Sequence, residues 1–293
     1  MATESVDPRF NDLDAWPIGH AIEAMWDGQL SAVAAVRQAL PQITAATEAA
    51  AKALQSTGRL IYVGAGTSGR VAVQDGAELN PTFDWPHHRV SFAMAGGEQA
   101  FTSSIEGAED DISDGIRQMD AFTLVPSDVV IGVAASGTTP FTVAAINRAS
   151  TLGAITIGIA NNDWTPLLKG SGYPVLIPTG SEVIAGSTRM KAGTAQKVAL
   201  NLISSGIMIK LGRVYHGYMV NMHMANDKLK SRGEKMVVAL ADCDLATASK
   251  AISLSHGNIK LATLIAMGID PEIATEKLDV TAGNLRQAIA RLR

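Results

Sequence analysis

The rhythm of hydrophobic and polar positions changes at Arg59. Before it, Ile18 to Ser56 is rich in Ala, Leu and Val at helical spacing, and Pro41 marks a break between two helices. After it, short apolar runs are each followed by a Gly, Ser or Thr loop and then by a segment of helical spacing, which predicts a parallel sheet with crossover helices. The predicted strands are Leu60 to Val63, Val90 to Met94, Val129 to Ala134, Ala154 to Ile159 and Tyr173 to Ile177. Each is apolar on both sides, as a strand covered by helices on both faces must be. Helices are expected to begin near Ser68, Glu98, Thr139 and Thr165, with a longer one over Ser187 to Leu211 and another over Tyr215 to Lys230. From Arg232 on there is no strand pattern, only short helical stretches punctuated by Gly257, Gly268, Pro271 and Gly283. The expected fold is α/β, a doubly wound parallel five-stranded sheet over residues 55–230, with a leader and helical arm at 1–54 and a small all-helical domain at 231–293.

Composition narrows the function classes. Of the 293 residues 47% are hydrophobic and 18% charged, enough apolar material for a packed core and unlike a disordered chain. Lys and Arg number 24 against 28 Asp and Glu, a net charge of −4, which argues against nucleic acid or an anionic membrane as a partner. Cys243 is the single cysteine, so neither an internal disulfide nor a thiolate zinc site can form. The start of the chain carries Glu4, Asp7, Asp12 and Asp14 where an export signal needs basic and then apolar residues, and the apolar runs are far shorter than the about 20 residues of a membrane span. A cytoplasmic protein is expected.

In an open parallel sheet ligands bind beyond the carboxyl ends of the strands. Three stretches there carry candidate chemistry. Gly64-Ala65-Gly66-Thr67-Ser68-Gly69-Arg70 formally matches the dinucleotide fingerprint, but the next strand ends Met94-Ala95-Gly96-Gly97, without the acid that binds a ribose hydroxyl. Nicotinamide and flavin binding are therefore not expected. Ala135-Ser136-Gly137-Thr138-Thr139-Pro140 also lies between strand and helix, where small hydroxyl residues beside glycine offer donors and a favourable dipole to phosphate. The same residues serve equally as ordinary helix caps. Two such loops on one sheet suggest a phosphorylated small molecule. The third stretch is Glu182 to Lys197, where Gly186-Ser187-Thr188-Arg189-Met190-Lys191 runs into the closing helix with Ser187 or Thr188 as its expected cap, and where basic residues open the helix against its dipole, which hints at an anionic ligand. Candidate ligand contacts are Gly66, Thr67, Ser68, Ser136, Gly137, Thr138, Thr139, Ser187, Thr188 and Lys191.

The first two loops together resemble those of the sugar isomerase domain, a doubly wound fold that binds phosphosugars. More narrowly, the chain is similar to the N-acetylmuramic acid 6-phosphate etherase family in Thr3-Glu4-Ser5, Leu13-Asp14, Tyr62 to Arg70, Asp75-Gly76-Ala77-Glu78, Pro81-Thr82-Phe83, Glu106-Gly107-Ala108-Glu109-Asp110, Ala134 to Pro140, Gly186 to Lys197, Asn201 and Val214-Tyr215. The tail, with Gly257, Lys260, Gly268 and Leu285-Arg286, resembles the family's small helical domain. The resemblance implies cleavage of a lactyl ether to D-lactate and N-acetylglucosamine 6-phosphate in cell-wall recycling, with no metal or redox cofactor and as a homodimer. It also implies Glu78 as the acid and Glu109 as the base. The chain departs from the family at Gly76, at Leu79-Asn80 and at Thr138, where the family typically places Arg.

The chemistry suits a pair of carboxyls. In an open-chain sugar the C2 proton is acidified by the aldehyde, so one group can take it while another protonates the oxygen leaving C3. Spacing alone does not choose among Glu106, Glu109 and Asp110, which would share a helix face. Adjacent His87 and His88 point apart and do not suggest a metal site, while Met219, Met222, Met224, His216 and His223 have the spacing of a helical packing face, with His216 or His223 open to a part in ring opening. An aldose-ketose isomerase on the same fold, or a phosphosugar-sensing regulator, are the alternatives. The acidic leader argues against the regulator, which needs a basic recognition helix.

Overall fold

The structure is a computed structural model that describes residues 1–224 and 226–292. In chain order its main elements are α1 (Ile18–Val36), α2 (Leu40–Ala53), β1 (Leu60–Gly64), α3 (Gly66–Ala77), α4 (Leu79–Phe83), β2 (Val90–Met94), α5 (Ile112–Ala121), β3 (Val129–Ala134), α6 (Pro140–Thr151), β4 (Ile155–Ala160), α7 (Pro166–Gly170), β5 (Tyr173–Leu176) and α8 (Lys191–Lys210). They are followed by α9 (Asp227–Ala241), α10 (Leu245–Leu254), α11 (Ile259–Ala266), α12 (Pro271–Asp279) and α13 (Leu285–Ala290). The chain divides into two compact units, one of Met1–Ala77 with His88–Ser205 and one of Glu78–His87 with Gly206–Arg293.

The first unit is built on a five-stranded parallel sheet of order β2-β1-β3-β4-β5. Strands β1 and β3 are buried along their whole length, which is why they read as unbroken apolar runs. Ile61, Val63, Val130, Phe141, Ile146 and Leu167 centre one core layer. At about 25 cal/mol per Å² of apolar surface, each such side chain contributes roughly 1.5–3 kcal/mol when fully buried. Pro41 falls in the first turn of α2, where its missing N–H costs no hydrogen bond, and a 3₁₀ turn over Arg37–Ala39 joins α1 to α2.

The sheet also needs particular glycines. A Cβ on Gly64 would lie 2.7 Å from the Gly69 Cα, so strand and helix meet backbone to backbone across the first loop. Gly76 faces the stacked rings of Tyr62 and Phe92, where a Cβ would come within 2.5 Å of the Phe92 ring. The departure at Gly76 is thus matched to its aromatic neighbours.

Two helices differ from expectation. The helix expected near Glu98 is a 3₁₀ turn, Glu98–Phe101, followed by a second, Ala108–Asp110, and the α-helix α5 starts only at Ile112. Gly96, Gly97 and Gly107 all have positive φ and interrupt the turns, while Asp111 caps α5 by accepting from the Asp114 N–H. Glu106, Glu109 and Asp110 therefore do not share an α-helical face.

The second unit is helical. Its core gathers Val220, Met222, Met236, Val237, Ile252 and Leu264 with smaller side chains. The helix expected over Tyr215 to Lys230, of which Ala225 lies outside the described residues, begins instead at Asp227 with Asn226 as its cap. His216 and Gly217 have positive φ, and Tyr215 and Tyr218 close a short bridge that stops a helix from starting there. Met222 packs inward nonetheless.

Candidate active site

The first loop turns directly from β1 into α3, with Gly66 at φ +52° opening the helix. Gly66, Thr67 and Ser68 form its first turn, where backbone N–H groups and the helix dipole favour an anion. Beside this turn lies a cavity of about 320 Å³, lined among others by Gly66, Arg70, Ser103, Glu106 and Glu109. Arg70 is held in its wall by donating from Nε to the Ala100 carbonyl at 2.9 Å and from Nη2 to the Ser103 carbonyl at 2.9 Å. Glu109 reaches it from the Ala108–Asp110 turn after Gly107, whose φ is +71°.

The second loop follows β3. The Thr138 N–H donates to the Ser136 Oγ at 3.1 Å, and Gly137 takes φ +68° where a Cβ would strike Thr165. Thr139 precedes Pro140 at the start of α6, yet its side chain makes no capping hydrogen bond. The first turn of α6 thus keeps its dipole uncapped by a side chain. In the order β2-β1-β3 the chain reverses direction across the sheet between β1 and β3, so the first and second loops flank the crevice where this class of sheet binds ligands.

The third stretch is arranged differently. Glu182 is fully buried and accepts from the backbone N–H of Lys191 at 2.8 Å and of Ala192 at 2.9 Å, so a carboxylate of the protein fills the first turn of α8. The Lys191 ammonium donates to the Ser181 carbonyl at 2.8 Å. Burial lowers its pKa against the pull of Glu182. Ser187 and Thr188 lie in the turn before α8, their N–H groups donating to the carbonyls of Ile184 and Gly186. The basic opening of this helix, legible in the sequence as a mismatch with the dipole, is balanced by Glu182. A Cβ on Gly193 would stand 3.3 Å from the Thr67 Cγ2, which places the start of α8 against the start of α3.

The two candidate glutamates fall in different units, Glu109 in the first and Glu78 in the second, immediately after α3. Both side chains are exposed, and Glu78 is not among the residues lining the Arg70 cavity. Beneath α3, Asp75 is buried and accepts from the Tyr62 hydroxyl at 2.9 Å, the Asn201 amide at 2.6 Å and the Ser204 hydroxyl at 3.0 Å. Burial pushes its carboxyl up, while these three donors and the charge of Lys197 pull it down. From the sequence, Arg70 and Asp75 are legible only as members of longer segments, with no role assigned to either. Arg70, the last residue of the glycine loop, was a readable signal, whereas a lone Asp within a helix resembles any surface acid. His87 and His88 are exposed, and among the described residues no group of three or more His, Cys, Asp or Glu could hold a metal.

Residues 42–150 match the model of the glucokinase regulatory protein N-terminal SIS domain. The chain is 46% identical over 288 residues to the N-acetylmuramic acid 6-phosphate etherase of Deinococcus radiodurans, covering 98% of this chain and 94% of that one. It belongs to the N-acetylmuramic acid 6-phosphate etherase family. A second etherase, from Halalkalibacterium halodurans, is 40% identical over 293 residues, 100% of this chain and 98% of its own. A solved Bacteroides fragilis chain described as a phosphosugar isomerase involved in capsule formation shares the fold, with a TM-score of 0.52 at 18% identity over 71% of this chain and 98% of that one. In this chain Thr138 lies in an exposed turn and Gly76 against two packed rings. No helix among the described residues is long and apolar enough to cross a membrane.

Proposed function

We propose that this member of the etherase family cleaves the lactyl ether of N-acetylmuramic acid 6-phosphate, releasing D-lactate and leaving N-acetylglucosamine 6-phosphate. The observation that carries the reading is full-length similarity to etherases, joined to an anion-favouring helix start and an acid on one cavity, Gly66 and Glu109. The reaction class is a carbon-oxygen lyase followed by hydration. It is an enzyme of the amino sugar phosphates that cell-wall recycling produces.

The phosphate is held by the first turns of α3 and α6, with Gly66, Thr67, Ser68, Ser136, Gly137, Thr138 and Thr139 around it. Ser187, Thr188 and Lys191 are assigned to the same ligand from the third stretch, where the Lys191 ammonium also donates to the Ser181 carbonyl. In the open-chain sugar, Glu109 takes the C2 proton as the C3–O bond breaks, and the electron pair of the C2–H bond becomes the C2–C3 double bond of an unsaturated aldehyde. Glu78 protonates the departing lactate oxygen, then removes a proton from the water that adds at C3, and the proton held by Glu109 returns to C2. Atoms balance: ether plus water gives alcohol plus lactate. The role of Glu78 rests on its place in the Asp75-x-x-Glu78 segment of the family. Arg70, fixed in the cavity wall, supplies a cation for the substrate's negative charge.

The working form is a homodimer in the cytoplasm. Along α1 the exposed side chains Ile18, Ile22, Trp26, Leu30 and Val33 follow helical spacing, an apolar stripe that a second copy related by a two-fold axis can cover with its own. Incubation with N-acetylmuramic acid 6-phosphate in heavy water tests the reaction. Lactate release with deuterium at C2 is expected; deuterium without lactate would indicate an isomerase.

A further inference from the structure

The leader ahead of α1 lies across the carboxyl ends of the strands. Thr3 is fully buried, its N–H donating to the Asn162 Oδ1 at 3.3 Å. The Asn162 amide in turn donates to the Thr3 hydroxyl at 2.8 Å and to the Ala135 carbonyl at 2.9 Å, so the leader is tied at once to the loops after β3 and β4. On one side of Thr3, the Met1 sulfur receives the Thr138 hydroxyl at 4.0 Å. On the other, a carboxylate oxygen of Glu4 stands 3.3 Å from where a Cβ on Gly186 would be. The leader therefore touches both the second and the third candidate stretch.

Glu4 is exposed and its carboxylate pairs with no Lys or Arg among the described residues; the one polar contact of its side chain there is from the Thr3 hydroxyl at 3.5 Å. Beyond that long contact the Glu4 carboxylate has no donor among the described residues, and the leader that carries it touches the second and third candidate stretches. The nearby first turn of α8 is already filled by Glu182, whereas that of α6 has no side-chain cap; with the phosphate at the β1 and β3 loops, as proposed above, the sugar lies toward the leader. A molecule there must bring donors to Glu4, and sugar hydroxyls are donors.

We propose that Glu4 is a specificity-determining residue that accepts hydrogen bonds from the hydroxyl groups of the phosphosugar, and that Thr3 and Asn162 are the positioning residues that hold it there. The inference rests on the reading of the site as a phosphosugar site. Its test titrates N-acetylglucosamine 6-phosphate and, separately, inorganic phosphate into the full chain and into Glu4→Gln and Thr3→Val. Glu4→Gln is expected to weaken the sugar phosphate about tenfold and to leave inorganic phosphate within about twofold, as a lost hydrogen bond to a charged acceptor implies. Thr3→Val, close to Thr in shape, should give a smaller loss of the same kind. Unchanged sugar phosphate affinity in Glu4→Gln, or an equal loss for both ligands, overturns the proposal. Failure of the reaction itself shows separately, as absence of lactate from the unaltered protein that still binds the sugar phosphate; no sugar phosphate binding at all sinks both.

Discussion

The phenolic oxygen of Tyr62 lies 2.9 Å from the carboxylate of Asp75, and both side chains are buried between β1 and α3. Asn201 and Ser204 complete the set of donors to Asp75 from α8, so one carboxyl joins three elements of the sheet unit. Two of those elements, α3 and α8, meet at their starts through Thr67 and Gly193. A buried acid at the far end of α3 therefore fixes the register of the helix that begins at the candidate phosphate turn.

Tyr62→Phe removes one donor and leaves the ring. A loss of about 1–3 kcal/mol is expected, the range for a hydrogen bond to a charged or buried acceptor. Burial is the largest influence on Asp75 and raises its pKa, so between the unfolded value of 3.8 and the higher folded value the folded chain holds a proton that the unfolded chain has released. Its contribution to stability falls as pH rises through that window. Urea unfolding over that window should show the slope, and Tyr62→Phe, which takes away a group that lowers the pKa, should extend it to higher pH.

Asp128 makes the opposite case. It is fully buried and accepts from the Arg59 backbone N–H at 2.8 Å, the Arg59 Nε at 3.1 Å, the Arg59 Nη2 at 2.6 Å and the Val125 N–H at 3.0 Å. Burial opposes its charge, but these donors outweigh burial and bring its pKa below 3.8. The stabilisation is present above 3.8 and is lost as pH falls through the folded value. Asp128→Ala leaves the Arg59 guanidinium only the Phe122 and Thr123 carbonyls and strands the Arg59 and Val125 N–H groups, and should cost about 3 kcal/mol, toward the lower end for a broken buried pair. Equal urea midpoints for variant and parent at neutral pH would contradict this.

Lys260 in the second unit gives a test at alkaline pH. Its ammonium donates to the Gly283 carbonyl at 2.7 Å, and burial together with nearby Arg213 lowers its pKa to about 8 against the pull of Asp84. Between about 8 and 10.5 the unfolded chain binds more protons than the folded one, so this residue makes stability rise with pH across that interval. Lys260→Met should flatten the rise, as measured by thermal unfolding in a buffer series.

Arg70→Leu should leave the fold in place, since the side chain serves two carbonyls in a cavity wall. Loss of a charge-assisted contact to the substrate is expected to lower kcat/KM by about tenfold or more. Arg70→Lys should restore little, because an ammonium cannot hold both carbonyls in the same fork. Full activity in Arg70→Leu would remove the residue from the site.

Much of the sheet was legible because burial on both faces leaves a plain mark: β1 and β3 were readable as apolar runs, and the glycine and hydroxyl residues after them as the turns into α3 and α6. The turns around Glu109 were not, because three glycines of positive φ replace a helix that the acidic spacing suggests. Tyr215 to Met224 misled in the same way, its helical spacing overridden by the local bridge and by Gly217. Neither the burial of Thr3 nor the filling of α8 by Glu182 leaves a local signal, since each depends on a partner brought from elsewhere in the chain, Asn162 in one case and the Lys191 backbone in the other. The resemblance to the etherases, by contrast, needed only short segments read together.

In the proposed reaction the Glu109 carboxylate removes the C2 proton. The direct measurement is lactate release from N-acetylmuramic acid 6-phosphate by Glu109→Gln, alongside its affinity for N-acetylglucosamine 6-phosphate. The expected result is a fall in kcat on the order of 10²–10⁴, the usual worth of a general base, with sugar phosphate affinity retained within a few fold. Lactate released at the parent rate would contradict it.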